Sequence, residues 1–127
     1  MAHILLVEDS KTQAFAVSRM LERRGYQVTV AKNGREGIQF AFQLQPDIIL
    51  MDIVLPDANG FQATRAIANN SRTAHIPVVM LSAKDQQSDK LWALRQGAMS
   101  YLTKPVKEPL LISTINSVLG GPAKASA

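Results

Sequence analysis

The stretch Asp47-Ile48-Ile49-Leu50-Met51-Asp52 sets four apolar side chains in a row between two acids. A run with no polar alternate suits a strand covered on both faces, as in a parallel sheet packed between helices. The acid behind it is a second signal, because a carboxylate at the buried end of a strand is costly unless it is paired or has a task. Working outward, His3 to Val7 and Val78 to Leu81 repeat the same near-continuous pattern. Gln27 to Ala31 is weaker and more polar, as expected of an edge, and Met99 to Leu102 is a fifth such run. The third strand is expected over Asp47 to Met51.

Between the runs, apolar residues recur at helical spacing: Ala14, Val17 and Leu21, then Ile38, Ala41 and Phe42, then Leu111, Ile115, Val118 and Leu119. Ser10 followed by Gln13 predicts a capping box at the first helix, and Gly25 after Arg23-Arg24 predicts its stop. Pro109 suits a first helical turn. Asn33-Gly34 resembles a hairpin turn in isolation, but the helical pattern behind it makes it a strand-to-helix loop. Strand and helix alternating five times in 127 residues predict a doubly wound α/β domain with right-handed crossovers. That domain is expected over residues 1–120, with a small, polar, flexible tail over 121–127 and no output domain.

At 46% hydrophobic content, a chain of this length can bury roughly two-thirds of its unfolded surface and fold without staples. Cysteine is absent, which removes disulfides, thiolate metal sites and a cysteine nucleophile, and fits the cytoplasm. The apolar run at the N-terminus meets acid at Glu8, too soon for a signal peptide or a membrane span. The net charge is +4, yet Arg19, Arg35, Arg65, Lys90, Arg95 and the other basic residues are dispersed, so no direct nucleic-acid partner is expected. His3 and His75 lack a ligand spacing, and no glycine-rich phosphate loop is present.

In open α/β sheets, ligands bind beyond the carboxyl ends of the strands. The residues found there are Glu8 and Asp9, Asp52, Ser82, and Lys104 followed by Pro105. Three carboxylates at one rim repel unless a cation sits among them, and hard oxygen donors favour Mg²⁺, with Mn²⁺ as the alternative. Asp52 would then serve as ligand and as nucleophile, forming an aspartyl phosphate. Lys104 would pair with one phosphoryl oxygen and the Ser82 hydroxyl would bond another. Singly, each has an ordinary reading. Glu8 and Asp9 favour the positive end of a helix by roughly 0.3 to 1 kcal/mol each. Ser82 suits a cap, Lys104 a solvated charge and Tyr101 a packed ring with a wet hydroxyl. Their joint placement favours the chemical reading.

The ordered set Leu6-Val7-Glu8-Asp9-Ser10, Asp52-Ile53-Val54-Leu55-Pro56, Gly60, Val79-Met80-Leu81-Ser82-Ala83 and Leu102-Thr103-Lys104-Pro105 resembles the bacterial two-component response-regulator receiver family over about residues 3 to 120. The resemblance implies a flavodoxin-like, five-stranded parallel sheet in the order 2-1-3-4-5, with five helices in three layers. It implies Mg²⁺ held by Glu8, Asp9, Asp52 and the Val54 backbone carbonyl, with Asp52 as phosphoacceptor and Ser82 and Lys104 reading the phosphoryl group. It further implies a cis Lys104–Pro105 peptide, a switch made of Ser82 and a rotating Tyr101, and a partner surface including Trp92, Arg95, Tyr101 and Lys107. The implied partners are a sensor histidine kinase and a downstream protein target, with the protein a monomer or a phosphorylation-linked homodimer. Glu8 departs from the Asp of many relatives, and its extra methylene changes the reach to metal. The segments Lys84 to Trp92 and Tyr101 to Val106 resemble stand-alone regulators of pilus-type chemosensory systems, which implies control of pilus-based or chemotaxis-like motility.

Three rival readings are weaker. A phosphohydrolase with an aspartyl nucleophile needs an acid two residues later, and position 54 is Val. A flavin or nucleotide binder of the same topology is disfavoured by the acidic rim. A phosphorylation-independent interaction module would leave the acidic set without a task. The chain is therefore expected to be no free-standing enzyme, only to assist its own phosphotransfer and a slow self-dephosphorylation.

Overall fold

In the computed structural model, which describes residues 2–125 with side chains through Gly120, each apolar run becomes a strand followed by a helix. The order is β1 (His3–Val7), α1 (Lys11–Glu22), β2 (Gln27–Ala31), α2 (Gly34–Leu44), β3 (Ile48–Asp52), α3 (Gly60–Asn69), β4 (Val78–Ser82), α4 (Gln87–Arg95), β5 (Ser100–Thr103) and α5 (Glu108–Ala125). All strands pair in parallel, in the order β2-β1-β3-β4-β5. Among the described residues no helix is long and apolar enough to cross a membrane.

Successive side chains of a strand point to opposite faces, so the sheet feeds two cores. Leu5, Val7, Ile49, Met51, Val78 and Met80 face one side, closed by Ala41 of α2, Ala63 and Ile67 of α3 and Ala93 of α4. Ile4, Leu6, Ile48, Leu50, Val79 and Leu81 face the other, closed by Ala14, Val17 and Leu21 of α1 and Leu111, Ile112 and Ile115 of α5. Val118 and Leu119 extend that second packing. The result is the three-layer, flavodoxin-like arrangement. β3 and β4 are buried throughout, whereas the edge strands β2 and β5 are partly exposed.

Several boundaries differ from the sequence reading. β3 begins at Ile48 because Asp47 spends its carboxylate on the neighbouring strand, Oδ2 accepting the His3 N–H at 2.7 Å. β3 and β4 run one residue further than their apolar stretches, pairing Asp52 with Leu81 and Ser82 with Thr103. Asp52 and Ser82 are thus held by the sheet rather than by loops, a more rigid mount for a reactive group. β5 starts at Ser100, leaving Met99 exposed. Phe42 does not join the core. The buried face of α2 is Gly34, set against the β3–α3 loop, with Gly37 and Ala41 against the sheet, and a Cβ on Gly37 would lie 2.8 Å from Val7 Cγ2. Ile38 and Phe40 flank that inward face and pack on the core, while Phe42 falls outside it, where the Arg72 guanidinium covers its ring at 4.6 Å. The tail expected over 121–127 falls on residues outside the side-chain description, with the α5 backbone running on to Ala125.

The helix ends are secured by side chains. Gly25 adopts φ +87 just beyond α1, the left-handed region in which glycine is not penalised. Asn33 caps α2, and Asp57 caps it again from the β3–α3 loop, accepting the Gly34 and Arg35 N–H groups at 2.8 and 2.9 Å. Those bonds, the one from Arg35 first, hold the Asp57 carboxyl below its usual range. Glu108 ties the start of α5 to the end of α1 by accepting from Arg23 at 2.5 Å and Arg24 at 3.1 Å, and the Arg23 contact above all lowers its pKa.

Candidate functional site

The carboxyl ends of β1, β3, β4 and β5 open on one cleft of about 350 Å³, whose walls include Glu8, Asp9, Asp52, Ser82, Lys84 and Lys104. Glu8 and Asp52 are buried and Asp9 is exposed, and one carboxylate oxygen from each lies within 4.8 Å of the others. The longer Glu8 uses its reach: Oε1 accepts from Lys104 Nζ at 2.6 Å and Oε2 accepts the Ser10 N–H at 3.2 Å. Asp52 accepts from Lys104 Nζ at 3.3 Å and, on its other oxygen, from the Val54 N–H at 3.3 Å. Three carboxylates face one ammonium, so negative charge remains in excess inside a partly dry cleft. That donor set fits a hard divalent cation with oxygen ligands. Among the described residues this is the group of acids and histidines placed to hold a metal. His3 instead bonds Thr29 Oγ1 at 2.7 Å, and His75 is exposed.

The position of Asp52 depends on Gly60. The Gly60 N–H donates to Ile53 O at 2.6 Å, and a Cβ at this position would lie 2.0 Å from the Asp52 carbonyl oxygen. α3 can therefore start directly behind the end of β3 only because its first residue has no side chain. The first turn of α3 is fastened by a full capping box between Asn59 and Gln62.

Ser82 and Tyr101 meet at the main chain of one residue, Lys84. Ser82 Oγ, 1% exposed, accepts the Lys84 N–H at 3.1 Å, while the Tyr101 hydroxyl donates to Lys84 O at 2.6 Å. Burial raises the Tyr101 pKa; the neighbouring Ser82 hydroxyl opposes that shift, and the carboxylates of Asp89, Asp85 and Asp52 add to it. Tyr101 is half-buried, whereas Trp92, Arg95 and Lys107 are exposed on α4 and on the segment leading into α5. The Lys104–Pro105 peptide is cis, as the family resemblance implied.

The site residues read from the sequence thus share one rim, with Trp92, Arg95 and Lys107 at the surface. Two features were not foreseen. One is the Lys84 main chain, whose N–H meets Ser82 and whose carbonyl meets Tyr101; main-chain bonds leave no sequence signal. The other is Gln13, expected to complete a capping box but found accepting from Lys104 Nζ at 2.6 Å.

Comparison with known proteins agrees with this geometry. PilH of Pseudomonas aeruginosa is 52% identical over 121 residues, covering 95% of this chain and all of that relative. The receiver domain of a Pseudomonas aeruginosa sensor histidine kinase, solved with magnesium coordinated in its active-site cleft, is 33% identical with TM-score 0.88, covering 94% of this chain and 98% of that one. Chemotaxis protein CheY4 of Vibrio cholerae is 31% identical with TM-score 0.88 over 93% of this chain and 98% of that one. Residues 4–116 match the response regulator receiver domain model, and with sheet order, acidic rim and matched span in agreement, the chain belongs to the response-regulator receiver family.

Proposed function

We propose that this receiver accepts a phosphoryl group from a sensor histidine kinase on Asp52 and converts its arrival into a change of the α4-β5-α5 face. The observation that carries this reading is the convergence of Glu8, Asp9 and Asp52 within 4.8 Å beside Lys104. An Asp52 carboxylate oxygen forms the new O–P bond as the N–P bond of the donor phosphohistidine breaks and the leaving imidazole takes up a proton. Mg²⁺ held by Glu8, Asp9, Asp52 and the Val54 carbonyl, with Mn²⁺ as a substitute, supplies the charge neutralisation such transfer chiefly requires. Lys104, already 3.3 Å from Asp52 Oδ2, turns to a phosphoryl oxygen.

Ser82 carries the signal onward. To reach a phosphoryl oxygen its side chain turns toward Asp52, and that rotation carries Oγ away from the Lys84 N–H that it now accepts. The β4–α4 connection then loses an anchor, and Tyr101, fastened to the carbonyl of the same residue, changes its packing. The exposed neighbours Trp92, Arg95 and Lys107 present the altered face to a downstream protein or a second copy of the chain. The identity with PilH and the resemblance of residues 84–92 and 101–106 support a place in a cytoplasmic, pilus-type or chemotaxis-like pathway.

The test is amide NMR with Mg²⁺ and beryllofluoride, a phosphoryl mimic that binds carboxylate oxygen. Ser82, Lys84, Tyr101 and Trp92 should shift in the wild type and stay still in Asp52→Ala. Shifts confined to the acidic residues, with Tyr101 unmoved, would remove the switch from the account.

A further inference from the structure

α1 and α3 begin with the same sequence device and use it differently. In α3, the glutamine at the third helical position closes the box: Asn59 Oδ1 accepts the Gln62 N–H at 2.8 Å and Gln62 Oε1 accepts the Asn59 N–H at 3.3 Å. In α1, Ser10 Oγ accepts the Gln13 N–H at 3.3 Å, but the Gln13 side chain does not turn back. Glu8 Oε2 takes the Ser10 N–H at 3.2 Å, and Gln13 Oε1 accepts from Lys104 Nζ at 2.6 Å. A local rule broken at the mouth of a cleft marks a side chain with another task.

The Lys104 ammonium has three N–H donors, and three oxygens receive them: Glu8 Oε1, Gln13 Oε1 and Asp52 Oδ2. Two of these belong to the acidic cluster, and the third is a neutral amide on α1 outside it. A divalent cation entering the cluster engages Glu8 and Asp52 and repels the ammonium. Gln13 is then the acceptor that stays with Lys104. Without the cation, loss of Gln13 leaves the lysine two carboxylates; with the cation, the same loss strands a partly buried charge. The cost falls on the metal-bound state, and only a difference between states shifts an equilibrium.

We propose that Gln13 is a positioning residue for phosphoryl transfer. It holds the Lys104 ammonium at the edge of the acidic cluster, so that Mg²⁺ can take Glu8 and Asp52 while the lysine stays poised for the phosphoryl oxygen. This rests on the reading of Glu8, Asp9 and Asp52 as the Mg²⁺ site.

The test is calorimetric titration of Mg²⁺ into the wild type, Gln13→Met and Gln13→Glu, each with and without Lys104→Met. Methionine keeps the length and removes the amide acceptor, and should weaken Mg²⁺ binding about tenfold, the lower end of the worth of one hydrogen bond to a charged group. Gln13→Glu, which restores an acceptor, should recover the affinity. In the Lys104→Met background the Gln13→Met change should have no effect, because the side chain acts through the lysine. Unchanged affinity in Gln13→Met, or equal weakening in both backgrounds, would overturn the role of Gln13 alone. A wild type that binds no Mg²⁺ would overturn the metal site and this inference with it.

Discussion

Gly60→Ala should lower stability by about 3 kcal/mol and abolish most phosphoryl uptake, although the change adds only one methyl group and removes no polar contact. The added Cβ would sit 2.0 Å from the Asp52 carbonyl oxygen and 2.8 Å from Ile53 Cα. Both are backbone atoms, so no rotamer change relieves the clash; either α3 backs away or the end of β3 bends. Each alternative moves the Asp52 carboxylate within a site where small displacements are expensive. Gly120→Ala is the control, because a Cβ there meets nothing within 4 Å, and in a helix alanine should stabilise by about 0.5 to 1 kcal/mol. Urea unfolding of both variants checks the pair. Equal stabilities would show that α3 slides freely and that Gly60 does not position Asp52.

Lys104→Met should slow phosphorylation by acetyl phosphate about 10²- to 10³-fold, the range seen when one preorganised donor to a developing negative charge is lost. It should also cost about 2 kcal/mol of stability without metal, since Glu8 and Asp52 are buried and Lys104 lies 2.6 and 3.3 Å from their oxygens. The value is kept below that of a fully buried pair because Lys104 reaches solvent. Mg²⁺ should restore the lost stability but not the rate, for the cation replaces the neutralising charge and not the contact to the phosphoryl oxygen. Thermal unfolding with and without Mg²⁺, beside the uptake rate, separates the two. Recovery of the rate by Mg²⁺ would deny Lys104 a place at the phosphoryl group.

The strands were legible because β1, β3 and β4 are covered on both faces, and unbroken apolar runs have no other economical use in a small domain. α1 and α5 were legible for a related reason: each buries a regular apolar stripe. α4 was not, because Leu91, Trp92 and Leu94 point outward and Ala93 is its buried residue, so its pattern inverts the usual rule. Phe42 misled through its place on the helix, for the inward face of α2 is Gly34, Gly37 and Ala41 flanked by Ile38 and Phe40, and Phe42 falls outside it. Asp52 and Ser82 were found at strand ends, where acids and hydroxyls are conspicuous after apolar runs. The bond from Lys104 to Gln13 spans 91 positions, and a helix-capping role explained Gln13 well enough to hide it. The fold was therefore written in local pattern, while the wiring of the site was written in distant pairings that no local rule exposes.

The most direct test of the central claim is the intact mass of the wild type and of Asp52→Ala after incubation with acetyl phosphate, with and without Mg²⁺. A phosphoryl adduct of about 80 Da on the wild type, dependent on Mg²⁺ and absent from Asp52→Ala, is the predicted result. An adduct of equal yield on Asp52→Ala, or none on the wild type with Mg²⁺ present, would contradict the assignment of Asp52 as the phosphoacceptor.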